Sequence, residues 1–193
     1  MPRTMVIDWG DGCRDILPPF TPPTPPWQLQ HLGILVTAGR ECWKCHAPTQ
    51  DTGVCVVVTD ATGLTSWWVA SYSPFEALFS DSFKKVLAKK FGVRRVYSKA
   101  MGVSYMANTC LKCGATSGDN FVFNDYNGRG GGFSNKQFMA TPCILHELTV
   151  PWDSQARYSN FLIPGFYQQV DPSRIMQVVA PAAGYQFWRP ATS

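Results

Sequence analysis

The chain has 193 residues, of which 45% are apolar, 13% aromatic and only 16% charged. That balance excludes a largely disordered chain, and the length suits one medium domain able to bury a sizeable core. The net charge of +4 is too mild to imply a nucleic-acid partner by itself, and no window approaches the roughly 18 uninterrupted apolar residues of a membrane span.

The first residues, MPRTMVIDWGDGCRD, turn acidic early and lack the apolar core of a leader peptide, so a reducing cytoplasm is the expected compartment. Residues 1–30 read as an arm preceding a domain of residues 31–193. Six prolines between Pro18 and Pro26 fix φ and remove amide donors, which forbids helix and central strand and favours an extended polyproline path. Asp8, Asp11 and Asp15 lie beside glycine and proline and read as solvated turn carboxylates rather than ligands of a nuclease metal.

From about residue 31 the pattern is mostly β. HLGILVTAG (31–39), VCVVVTD (54–60) and SWWVASY (66–72) are β-branched or aromatic runs of strand length. The adjacent Trp67 and Trp68 must face opposite sides of a strand, so that strand is either buried on both faces or presents a binding face. Ser73-Pro74-Phe75-Glu76 has the form of a capping box with proline at the first helical position. Phe75, Leu78, Phe79, Phe83, Val86 and Leu87 then recur at threes and fours, and Gly92 can supply a left-handed stop. These signals predict a helix over about 74–91. VRRVYS (93–98), VSYMAN (103–108) and NFVFND (120–125) read as strands, residues 127–135 as a glycine-rich loop, and 137–150 as a further strand bent at Pro142. The last 40 residues allow only short strands and loops.

Seven cysteines in a reducing compartment read as metal ligands before they read as disulfides. Two CxxC pairs stand out: Cys42-Trp43-Lys44-Cys45 and Cys110-Leu111-Lys112-Cys113. A CxxC turn aims two sulfurs at one point, and two such turns complete the tetrahedron that zinc accepts. Iron competes for four thiolates. A redox dithiol would need a βαβ context that neither pair has. Four thiolates leave no open coordination position, so the expected cofactor is a structural zinc. His46 follows a ligand directly and is the weaker candidate for the metal. Cys13, Cys55 and Cys143 have no close partner and read as core residues. His146-Glu147 is not the zinc-protease helix motif, because the position four residues after the histidine is Val150.

Residues 84–99 carry seven of the 17 basic residues and no acid. Lys84, Lys85, Lys89, Arg94 and Arg95, with Lys44 and Lys112 inside the knuckles, are candidate phosphate contacts, and Trp43, Tyr97 and Tyr105 candidate stacking partners for bases. Cations at a helix C-terminus also offset its dipole without any ligand.

The paired knuckles resemble those of zinc-ribbon proteins, and ANTCLKCGATSGDNF (107–121) is similar to the second knuckle of small zinc-ribbon-bearing bacterial and phage proteins. The resemblance covers roughly residues 40–125. It implies a zinc-stapled β scaffold acting in nucleic-acid or macromolecular binding, although the 64 residues between the pairs exceed a simple ribbon. The expectation is therefore an α+β, strand-rich single domain with a zinc-ribbon-like four-cysteine site and one main helix. Its expected role is non-enzymatic contact with nucleic acid. The alternatives are a protein-binding adaptor or inhibitor of phage or mobile-element origin, using a tryptophan-rich surface and the proline arm, and an enzyme with an unrecognised site.

Overall fold

The computed structural model describes residues 5–8, 14–17, 28–37, 40–123, 132–133, 142–148, 167–170 and 172–179. The prolines of 18–26, Asp11, Cys13 and most of the 127–135 loop lie outside the described residues.

Within residues 1–30, β1 (Met5–Asp8) and β2 (Arg14–Leu17) pair as an antiparallel hairpin that sets Asp8 opposite Arg14. The main sheet begins with β3 (Gln28–Thr37) and continues through β6 (Thr52–Thr59) and β7 (Thr65–Ala70). β11 (Cys143–Leu148), β12 (Tyr167–Gln169) and β13 (Ile175–Val179) complete six strands in the order β12-β7-β6-β3-β11-β13. Every pairing is antiparallel except β11 with β13. β6 lies inside the sheet, and its unbroken GVCVVV run is buried throughout. A strand covered on both faces has no polar alternation to keep.

The two faces carry separate cores. Ile34, Val54, Val56, Val58 and Trp68 face one side, with Phe79, Phe83, Leu87 and Phe91 packed over them. Leu35, Cys55, Val57, Val69, Cys143 and Leu145 face the other, beneath Val122, Phe123 and Phe133, with Trp67 packed against them. The two tryptophans therefore serve opposite cores, and no tryptophan-rich surface forms there. Burial pushes the Cys55 thiol up to about 12, with Cys143 adding to the rise, which makes it an inert hydrophobe.

The expected helix over 74–91 is divided. Ser73–Leu78 is a 3₁₀ segment without a side-chain cap, Phe79 is extended (φ −76°, ψ 130°), and the main helix α1 starts afresh at Asp81. Ser80, not Ser73, is the cap: its hydroxyl accepts from the Phe83 amide at 3.2 Å. α1 (Asp81–Val86) then widens into a π turn, Leu87–Phe91. The reason lies in the spacing of Phe83, Leu87 and Phe91. Residues four apart drift by about 40° per step on a 3.6-residue helix, and a wider turn keeps all three on the core while leaving Lys90 exposed. Gly92 ends the helix at φ 69°, where a Cβ would come within 2.4 Å of the Thr109 carbonyl oxygen.

A smaller sheet stands beside the first. β8 (Val93–Ser98), β9 (Val103–Thr109) and β10 (Thr116–Ser117) lie in the order β10-β9-β8, and β4 (Arg40–Glu41) pairs with β5 (Pro48–Thr49) as a separate ribbon. Residues 120–123 of NFVFND are not a strand: Asp119–Phe123 form the short helix α2, whose Phe121 and Val122 amides return to the Gly118 carbonyl, and Asn124 and Asp125 lie outside the described residues. The apolar run is shared by strand and helix patterns, and burying both Val122 and Phe123 under the sheet decides it. The fold is thus α+β and strand-rich, with one main helix. Among the described residues no helix is long and apolar enough to cross a membrane.

Candidate metal centre

Each CxxC pair sits at the tip of a hairpin, the first between β4 and β5, the second between β9 and β10. The two tips have the same backbone. Cys42 N–H donates to the Ala47 carbonyl at 2.9 Å and His46 N–H to the Cys42 carbonyl at 2.9 Å; Cys110 N–H donates to Ala115 and Gly114 N–H to Cys110, both at 2.8 Å. Both tips close on a left-handed residue, His46 at φ 56° and Gly114 at φ 72°. The matching sequences, C-W-K-C-H-A-P-T (42–49) and C-L-K-C-G-A-T-S (110–117), are one local structure used twice.

The tips face each other. Cys42 Sγ lies 3.6 Å from Cys113 Sγ, Cys45 Sγ lies 3.8 Å from Cys110 Sγ, and all four sulfurs fall within 4.8 Å of one another. A tetrahedron with metal–sulfur bonds of about 2.3 Å has edges of about 3.8 Å, so the arrangement has the dimensions of a tetrathiolate metal site. The Cys45 and Lys44 amides point at Cys42 and hold its thiol down to about 6, and the Cys113 amide lowers Cys110 likewise. Cys113 resists ionisation up to about 11. The Ala115 amide favours its thiolate, but burial and the three neighbouring sulfurs oppose a further negative charge. Four converging thiolates therefore call for a cation at their centre. The arrangement is compatible with a zinc-ribbon-like site, and four protein thiolates leave no position for substrate or water. His46 is not one of the four: it is exposed, and its Nδ1 lies 3.8 Å from Glu41 Oε2.

Two buried polar clasps fasten the knuckles to the main sheet, and neither was apparent in the sequence. Arg40, just before the first knuckle, forks onto Asp51, with Nε to Oδ2 at 2.6 Å and Nη2 to Oδ1 at 2.8 Å. Nη2 also donates to Ser117 Oγ beyond the second knuckle, and the guanidinium lies over the Phe121 ring at 5.1 Å. Asp51 is fully buried and takes a third donor, Gly132 N–H, at 2.8 Å. In the second clasp, Asn108 of β9 pairs with the Thr52 backbone of β6 as a strand would, Oδ1 accepting from Thr52 N–H and Nδ2 donating to Thr52 O, both at 2.9 Å. Tyr72 O–H completes it by donating to Thr52 Oγ1 at 2.9 Å. The shared small residues after each CxxC and the Arg40/Asp51 charges flanking the first knuckle were the available signals.

The basic candidates do not form one cluster. Lys44 and Lys112 are exposed on the knuckle tips, Lys85 and Lys89 are exposed on the main helix and Lys84 is half-buried there. Arg94 and Arg95 are consecutive on β8 and so point to opposite faces. Arg95 pairs with Glu76 of the 3₁₀ segment. Trp43 is 59% exposed but fixed, its Nε1–H donating to the Thr116 carbonyl across the knuckles at 3.1 Å. Comparison with known proteins adds no relative: no family model, curated protein or solved structure matches the chain.

Proposed function

We propose that Cys42, Cys45, Cys110 and Cys113 hold a zinc ion as a structural staple, and that the protein is a non-enzymatic interaction module contacting nucleic acid through its basic segment. The zinc would fix the knuckles against each other and supply no catalytic position. The observation that carries the nucleic-acid reading is a charge pattern laid over the fold. From Ser82 to Gly118 there are eight Lys or Arg and no Asp or Glu, and this stretch spans the main helix, β8, β9 and the second knuckle. Within it Lys85, Lys89 and Arg94 are exposed and Lys84 is half-buried, with Lys112 exposed at the knuckle tip; Lys44 lies exposed on the other tip. Phosphate contacts of this kind release counterions and weaken steeply with salt.

The test is fluorescence anisotropy with a labelled oligonucleotide across a salt series, on protein whose zinc content has been measured. Alanine at Lys84, Lys85, Lys89 and Arg94 should weaken binding and flatten the salt slope by roughly 0.7 to 0.9 per lost phosphate contact. Equal binding and slope in wild type and variant would refute the reading. A second reading, a protein-binding adaptor, is favoured by one patch: Tyr97, Met101 and Val103 at the β8–β9 hairpin end are 64%, 60% and 48% exposed. A protein retained by wild type but not by Tyr97→Ser/Met101→Ser, at any salt, would favour it.

A further inference from the structure

We infer that the groove between the end of the main helix and the second knuckle is a slot for one unstacked base of a single-stranded nucleic acid, with Lys90 beside it for an adjoining phosphate. The inference rests on the nucleic-acid reading above and adds strand type and location to it.

The groove has a volume of about 350 Å³, and its floor includes Phe91, Leu111 and Ile144. Ligand pockets run from about 300 to 1,000 Å³, so the space suits one nucleoside-sized group. Leu111 and Ile144 remain 51% and 37% exposed within it. The other knuckle supplies an internal reference. At the position equivalent to Leu111 stands Trp43, whose ring reaches across to Thr116; Leu111 faces the equivalent residue, Pro48, and is too small to close the gap. The molecule fills this place on one side and leaves it open on the other.

Charge and hydrogen-bonding capacity name the occupant. Among the described residues, no carboxylate lines the groove. Gln50, on the rim, reaches the Lys90 carbonyl with Nε2 at 3.5 Å, which sets Lys90 beside the opening, and Gln50 Oε1 accepts from no group among the described residues. Lys90 Nζ stands 3.5 Å from His146 Nδ1 and 5.2 Å from the centre of the Phe91 ring. Burial and Lys90 together lower the His146 pKa. Lys112 follows Leu111 in the chain and is exposed. An apolar floor, an amide oxygen open to a donor on a base edge and a lysine beside the opening match a base with an adjoining phosphate. Bases inside a duplex cannot enter such a slot, whereas those of a single strand can.

The test compares a labelled oligothymidylate with a labelled duplex of the same length. Wild type should bind the single strand more tightly. Leu111→Ser, which removes floor at an exposed position, and Ile144→Trp, which fills the space, should each weaken single-strand binding about tenfold and leave duplex binding unchanged. Leu64→Ser, in the β6–β7 turn, should bind as wild type does. Equal affinity for both probes, or groove variants that bind the single strand like wild type, would overturn the slot while leaving the nucleic-acid reading in place. Binding of neither probe would overturn both. A self-association seen by sedimentation and abolished by Leu111→Ser would give the groove to a second copy of the chain, which also overturns the slot.

Discussion

Asp119 opens α2 at a place where a carboxylate is expensive. It is 7% exposed, and burial raises its pKa from 3.8 to about 7 against the opposing hydrogen bond from Ser71. The same negative charge helps to raise Tyr72 and Tyr105. A pKa raised on folding means that the native chain holds its proton more tightly than the unfolded chain does. The contribution is therefore present at low pH and lost as pH rises towards about 7. A rise of about three units corresponds to roughly 4 kcal/mol at most. Asp119→Asn keeps the shape and removes the charge. Urea unfolding of variant and wild type, at several values from about pH 4 to pH 8, should show similar stability at the acid end and a variant advantage growing to a few kcal/mol at the alkaline end. Comparison at each pH removes the contribution of thiol protonation at the metal site, which both proteins share. A difference that stays constant across the series would show that Asp119 ionises as freely in the fold as in the unfolded chain, and would refute the argument.

Two further perturbations test the local architecture. His46→Gly gives the first knuckle the residue its twin has at Gly114, relieving a left-handed conformation at the cost of unfolded-chain entropy; a net gain of roughly 0.5 kcal/mol in urea unfolding is expected. A loss above about 1 kcal/mol, or lost zinc in elemental analysis, would mean that the imidazole has a role the geometry does not reveal. Asp51→Ala strands a guanidinium only 17% exposed and should cost about 3–5 kcal/mol, whereas Arg40→Met with Asp51→Leu should recover more than half of that in the same assay. If the double variant is no better than the single one, the clasp is not behaving as a buried ion pair.

What could be read from the chain and what could not divide along a physical line. The four-cysteine cluster was legible because each CxxC turn is a local structure, and the demand of a metal for four thiolates supplies the long-range partner. β6 and Gly92 were legible for similar reasons: a buried β-branched run and a left-handed stop express themselves within a few residues. The helix start was misread because Ser73-Pro74-Phe75-Glu76 satisfies every local rule for a cap. Tyr72 is drawn into the core to reach Thr52, however, and the chain re-enters a helix only at Ser80. NFVFND had no period long enough to separate strand from helix. The clasps were invisible because nothing local marks a charge or an amide that will be buried: Asp51 meets its partner 11 residues away, and Asn108 meets Thr52 across 56 residues.

These clasps bear on what a metal held by the four cysteines would do. β9 is already tied to β6 through Asn108, and Arg40 already reaches from Asp51 to Ser117, so both knuckles are anchored near their bases without any ion. The tips are not. Beyond these anchors, the tip-to-tip contacts among the described residues include the four sulfurs, Ala115 packed with Cys42, and the Trp43–Thr116 hydrogen bond, and converging thiolates repel. A cation at that point would turn the repulsion into a bond and set the tips' spacing, and with it the distance between Leu111 and Pro48 across the groove. The ion would then act on the knuckle tips through position alone, as a structural metal with no open coordination site must.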